Sequence, residues 1–332
     1  MASMPAFVEE MLSTTFTQYT AWDDNFEYSA RMSKKGKLLA NRKKAVSPPS
    51  KQTFFQKTFN KQKNYIINEG DNIPVLQDIG IFTKENKIAA QMHDKFQQIN
   101  RFIEIVADET RNLEAATPIN IIDFGCGKSY LTFLIYHYFT VVRNMQVNIC
   151  GLDLNQAVIA TCTQAATKYG YTGLTFKLGD IGKQNAPPLA SFSAPGSFNI
   201  VISLHACDTA TDHAIYNAIQ WQADLICAAP CCQHELRKQI KPASLSILTS
   251  YGIVEERFAA LATDAIRAKL LEYMGYKAQI LEFTSLAHTA KNLLIRARRA
   301  QTPRHNIAAL TQATTLCQQF GFSPTLMHLL EI

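Results

Sequence analysis

Asn120-Ile121-Ile122-Asp123-Phe124-Gly125-Cys126-Gly127-Lys128-Ser129-Tyr130-Leu131-Thr132-Phe133 reads as a buried strand that runs into a glycine turn and out into a helix. Ile121, Ile122 and Phe124 crowd a run too short for a helix. Gly125 and Gly127 let the backbone turn tightly and approach a ligand closely. The helix that follows offers free N–H groups at its first turn.

The same unit recurs on both sides. A helix-period segment, 88–106, comes before it, with Met92, Phe96, Ile99, Phe102, Ile103 and Val106 at three- and four-residue steps. After it, strand-like runs at 147–153, 174–178, 198–204 and 224–229 alternate with helical patterns at 156–169 and 211–221. Helices near 242–251 and 258–273 then lead to two closing strands, 277–283 and 291–298. Strand–helix alternation of this length predicts an α/β fold with a doubly wound, mostly parallel sheet. Two last strands joined by a loop alone predict one antiparallel strand.

In an open parallel sheet, ligands bind beyond the C-terminal strand ends. Three consecutive strands end in acids: Asp123, Asp153 and Asp180, the last followed by Ile181. A carboxylate at the second strand end can accept both hydroxyls of a ribose. An acid and an aliphatic residue at the third suit the amino group and one face of an adenine. Gly127-Lys128-Ser129 imitates the end of a phosphate-binding loop, but that motif needs glycine where Ile122 stands. A dinucleotide fingerprint needs glycine at 130, which is Tyr130. A ligand-free turn would explain the glycines but not the three acids.

Of 332 residues, 47% are apolar and 18% charged, enough to build a core, so a wholly disordered chain is excluded. Eight cysteines, two of them adjacent, do not make a disulfide scaffold. With no signal-like or membrane-spanning run, a reduced cytoplasmic setting is the expectation. The net charge of +6 is segregated. Residues 1–30 carry five acids and no Lys or Arg, whereas residues 31–63 carry eleven Lys or Arg and no acid. This block, Arg31 to Lys63, interleaves with Phe54, Phe55, Phe59 and Tyr65. That pattern suits either a solvated, partly disordered tail or an arm that binds RNA by charge and stacking. The expected organisation is an N-terminal extension (1–64), a main domain (65–298) and a helical C-terminal tail (299–332) with one helix at 307–320.

The main domain resembles a bacterial family of class I S-adenosylmethionine-dependent methyltransferases. The likeness rests on 123–133 (DFGCGKSYLTF), 203–212 (SLHACDTATD) and 230–236 (PCCQHEL), with 63–66, 263–267 and 291–296 similar as well. Relatives of that family include eukaryotic ribosomal RNA adenine dimethylase-domain proteins and, remotely, tRNA acceptor-stem 2′-O-methyltransferases. The resemblance implies a seven-stranded Rossmann-like sheet, S-adenosylmethionine as cofactor, and an RNA substrate. It also implies that the cofactor's methionine part lies along 123–129, including Asp123, Gly125 and Gly127. Asp153 would then bind the ribose, and Asp180 with Ile181 the adenine. Adenine dimethylases carry an Asn/Asp-Pro-Pro-aromatic motif after the fourth strand; here that place reads Ser203-Leu204-His205-Ala206-Cys207-Asp208.

The fourth and fifth strands end in His205, Cys207 and Asp208, then in Cys231, Cys232 and His234. Three chemistries compete for this set. His205 or Asp208, with Cys231 and His234 in the same catalytic group, would orient the acceptor or take its proton. Cys207 and Cys231 would instead act as a thiolate pair for pyrimidine C5 methylation. In the third, the cysteines and histidines would bind zinc, though their spacing is not that of a standard finger. The first is the expectation, with no bound metal. A binding module that keeps the fold without catalysis, and a small-molecule methyltransferase, are the competing function classes.

Overall fold

The computed structural model describes residues 18–22, 25–32, 38–44, 65–183, 186–192, 194–204, 206–240, 245–284 and 292–332. The chain divides into two compact units, residues 1–64 and 65–332.

The second unit is built on a seven-stranded sheet among the described residues. Its strands are β4 (Ile119–Phe124), β5 (Val147–Asp153), β6 (Leu174–Leu178), β7 (Phe198–Leu204), β8 (Leu225–Ala229), β9 (Tyr276–Glu282) and β10 (Leu293–Arg299), in the order β6-β5-β4-β7-β8-β10-β9. Neighbours from β6 to β8 pair in parallel, and β10 runs antiparallel to both β8 and β9. The order reverses direction between β4 and β7, which opens a crevice at their C-terminal ends. The doubly wound sheet with one antiparallel strand, expected from the sequence, is the fold observed.

Strand alternation feeds two cores. Ile119, Ile121, Ile149, Ile200, Ile202 and Cys227 face one side, and Ile122, Phe124, Cys150, Val201 and Ile226 face the other. The first side is covered by α2 (His93–Thr110), α3 (Tyr130–His137) and α4 (Gln156–Lys168), preceded in the chain by the short α1 (Pro74–Asp78). The second is covered by α5 (Thr209–Gln220) and α8 (Gly252–Tyr273). Two short helices, α6 (His234–Gln239) and α7 (Ser246–Thr249), lie between α5 and α8 in the chain. Of the region expected to be helical at 242–251, only α7 is helix, with 241–244 outside the described residues.

The C-terminal segment is not a separate tail. Its helices α9 (Ile307–Phe320) and α10 (Thr325–Leu329) belong to the second core, where Ala313, Cys317, Phe322 and Leu326 are buried. The reason is a small-residue stripe, Ala309, Ala313 and Cys317, at four-residue steps, which lets α9 lie close on its neighbours. Polar ties hold the end in place. Glu235 on α6 accepts hydrogen bonds from the Thr325 hydroxyl (2.5 Å) and amide (3.1 Å), and Gln239 pairs with the backbone of Ser323.

In the first unit the described residues form an antiparallel meander, β1 (Gln18–Trp22), β2 (Phe26–Met32) and β3 (Leu38–Lys44). Part of the basic block, residues 31–32 and 38–44, is therefore strand, and the rest of it lies outside the described residues. Directly opposed residues share a face, so Phe26 with Lys44 and Tyr28 with Arg42 make one surface. The Arg42 guanidinium lies 4.5 Å from the Phe26 ring centroid, and Lys43 pairs with Glu27 on the other face at 3.1 Å. The expected linker at 45–50 and the aromatics Phe54, Phe55 and Phe59 lie outside the described residues. Tyr65, grouped with those aromatics in the sequence, instead packs edge-on against Phe96 of the second unit, with ring centroids 6.2 Å apart.

Candidate active site

The turn after β4 is held open by backbone conformations that few side chains tolerate. Gly125 and Gly127 have φ of +70° and +52°, and Ser129, at the entrance to α3, has +57°. Leu152 at the end of β5 accepts from the amides of Gly125 and Cys126. Asp153 then locks the turn: one carboxylate oxygen accepts from the Gly127 amide and the other from Asn155, both at 2.9 Å. Asn155 in turn caps α4, accepting from Ala157 and Val158. The carbonyl of Asp153 accepts from Gly179, which joins the second strand end to the third.

Asp123 sits beneath this turn, 2% exposed, and accepts a 2.6 Å hydrogen bond from Thr132 on α3. Burial pushes its carboxyl up to about 7; Asp153 adds to the rise, while Thr132 and the half-buried Lys95 oppose it. Asp180 accepts from the Gly182 amide at 3.0 Å, and Asn217 of α5 fixes the Ile181 carbonyl at 2.8 Å. The strand-end acids and the glycine turn thus share one end of the sheet. Ala206, after β7, stands 4.0 Å from where a side chain on Gly125 would begin, so two small residues flank the crevice.

The loops after β7 and β8 carry the second group of residues singled out in the sequence. Asp208 has a strained backbone, φ +53° and ψ −124°. Its amide donates to the Cys232 carbonyl at 3.1 Å and its carboxylate accepts from the Glu235 amide at 3.0 Å, tying the two loops together. His234 is exposed at the start of α6, and His205 lies outside the described residues. The Cys207 and Cys231 sulfurs are 3.1 Å apart, and Cys232 joins them. Burial and the Cys207 contact push the Cys231 thiol up to about 12, which leaves little thiolate for attack on a ring.

An ionic network below these loops escaped the sequence reading. Arg267 on α8, fully buried, makes a two-point contact with Asp212 (2.9 and 2.6 Å) and reaches Asp264 at 3.1 Å. It also donates to the Asp208 carbonyl at 2.9 Å, so a buried cation holds the strained residue. Gln233, buried between the loops, donates to Asp264 at 3.1 Å. The available signal was Asp264 and Arg267 at i and i+3 amid buried Ala262, Ile266 and Leu270, a pair of charges on an apolar face. Thr132 and Lys95 carried no such signal.

A family model described as "Methyltransferase domain" matches residues 94–239, which include the turn after β4 and the loops after β7 and β8. That segment, less than half of the chain, is similar to a methyltransferase domain. No curated protein sequence matches the chain. Among solved structures, the C-methyltransferase domain of the citrinin polyketide synthase is 14% identical over 61% of this chain, with a TM-score of 0.38. The chain spans 52% of that structure's length. A putative S-adenosylmethionine-dependent methyltransferase from Methanococcus maripaludis is 12% identical, covering 64% of this chain and 90% of its own, with a TM-score of 0.35. Geranyl diphosphate C-methyltransferase from Streptomyces coelicolor, solved with S-adenosyl-L-homocysteine, is 12% identical over 63% of this chain and 81% of its own, at 0.37.

Proposed function

We propose that the chain is an S-adenosylmethionine-dependent methyltransferase acting on RNA. The observation that carries the reading is the convergence of Asp123, Asp153 and Asp180 with the Gly125–Gly127 turn at one end of the sheet. Asp153 already accepts two amide hydrogen bonds, and a carboxylate has further lone pairs for ribose hydroxyls. Asp180 and Ile181 are suited to the adenine, and the crevice between Gly125 and Ala206 to the methionine part.

Methyl transfer from a sulfonium is an in-line displacement. S-adenosylmethionine, when bound, would supply an electrophilic methyl group to the acceptor's lone pair, with the C–S electrons left on sulfur and the acceptor's proton given to a base or to water. The protein's tasks are to position the acceptor and hold that proton. Asp208, fixed by Arg267, Glu235 and Cys232, is the orienting group in this reading, with His205 and His234 as the neighbouring proton carriers. RNA is favoured by the basic block at 31–63 and by the meander face where Tyr28, 37% exposed, lies opposite Arg42.

The test is to incubate the full chain with methyl-labelled cofactor and, separately, total RNA, protein extract and metabolite extract. Label in RNA, lost in Asp208→Ala while cofactor affinity is kept, is the expected result. Label confined to protein or small molecules would overturn the RNA assignment, and no label in any fraction would overturn the enzyme.

A further inference from the structure

Against the expectation of no bound metal, we propose that Cys207, Cys231 and Cys232 form a zinc site as three thiolate ligands. Neither the fold nor the methyl donor calls for it, and the proposal stands whether or not RNA is the substrate.

Cys207 leaves the end of β7, and Cys231 and Cys232 leave the end of β8, adjacent parallel strands that bring residues 24 positions apart into contact. The three sulfurs lie within 4.8 Å of one another, with Cys207 to Cys231 at 3.1 Å and Cys231 to Cys232 at 4.0 Å. A tetrahedral zinc with Zn–S bonds of about 2.3 Å sets its sulfurs about 3.8 Å apart. The 3.1 and 4.0 Å separations lie on either side of that edge.

The surroundings hold the trio in place. Asp208, next to Cys207, is bonded through its amide to the Cys232 carbonyl, through its carboxylate to Glu235 and through its carbonyl to the buried Arg267. The loops are therefore cross-linked before any ion arrives. Cys207 is exposed and gives the ion a path in, whereas Cys231 and Cys232 are only partly buried. Three soft sulfur donors select zinc over calcium or magnesium, which take oxygen ligands. Among the described residues no histidine or carboxylate joins the trio within the same span, and His205, two positions before Cys207, lies outside the described residues.

The test uses the full chain, purified under reducing conditions with zinc present, and elemental analysis. About one zinc per chain is expected, falling at least tenfold in Cys207→Ser and in Cys231→Ser. Cobalt(II) alone, added to the apoprotein, should give the near-ultraviolet thiolate-to-metal band. In the Cys232→Ser variant its intensity per bound cobalt should drop by about a third. The wild-type cobalt spectrum keeps the test decisive even if a variant fails to fold. Less than about a tenth of an equivalent of zinc together with no cobalt band would overturn the site. So would stoichiometric zinc retained in all three folded single variants, or a Cys207–Cys231 disulfide, with no metal, in protein purified without reductant.

Discussion

Two buried charges decide the behaviour of single residues. Asp123 is a carboxylic acid under the turn that the cofactor is proposed to cover, raised by burial from 3.8 to about 7. Between those values the folded chain keeps a proton that the unfolded chain has released, so stability should fall as pH rises from about 4 to 7. Urea titrations should show wild type losing more than about 1 kcal/mol across that window, with a flatter profile in Asp123→Asn. Equal profiles would remove Asp123 as the cause. Arg267 is the counterpart cation. Arg267→Ala leaves Asp212 and Asp264 buried with no guanidinium between them, and should cost about 3–5 kcal/mol by chemical denaturation. Arg267→Lys should recover only part, because an ammonium cannot reproduce the two-point contact with Asp212 while also reaching Asp208. The acids at the strand ends were legible in sequence because each closes an apolar run. The cysteine trio was only half legible: residue types and chain positions were plain, but their distances depend on β7 lying beside β8.

At the scale of elements, the strands of the second unit were readable because four of the seven, β4, β5, β7 and β8, are buried on both faces and read as apolar runs. β5, β6 and β7 span the residues that periodicity assigns to them. The short helices α1, α6 and α10 offered too few turns for a period to emerge, and β3 of the meander was hidden by Arg42, Lys43 and Lys44, which read as part of a solvated run. The C-terminal segment was misjudged for a different reason. Its apolar stripe is made of alanine and cysteine, small residues whose value lies in close approach and not in hydrophobic bulk. This makes a clear prediction. Removing 322–332 deletes buried Phe322 and Leu326 and the Glu235–Thr325 contact. Each of the two side chains contributes about 1.5–3 kcal/mol, so the truncated chain should melt well below wild type in a thermal scan. An unchanged melting temperature would mean that the segment is a tail after all.

At the scale of the whole molecule, the excess charge lies apart in sequence from the residues of the proposed catalytic site. The basic excess sits in residues 31–63, while residues 64–332 hold equal numbers of acids and bases. If that block binds RNA, Arg42→Glu with Lys44→Glu should weaken RNA binding and flatten its dependence on salt, because fewer counterions are released. Cofactor affinity should not move. A filter-binding series across salt concentrations that is unaltered by the pair would leave the block without this role. The account rests most heavily on the strand-end cradle, and calorimetry on the full chain with S-adenosyl-L-homocysteine tests it directly. One molecule should bind per chain, and Asp153→Ala should weaken binding by about 10- to 100-fold, through loss of the ribose contacts and of the lock on Gly127. Binding of equal strength in that variant, or no binding heat with wild type, would contradict it.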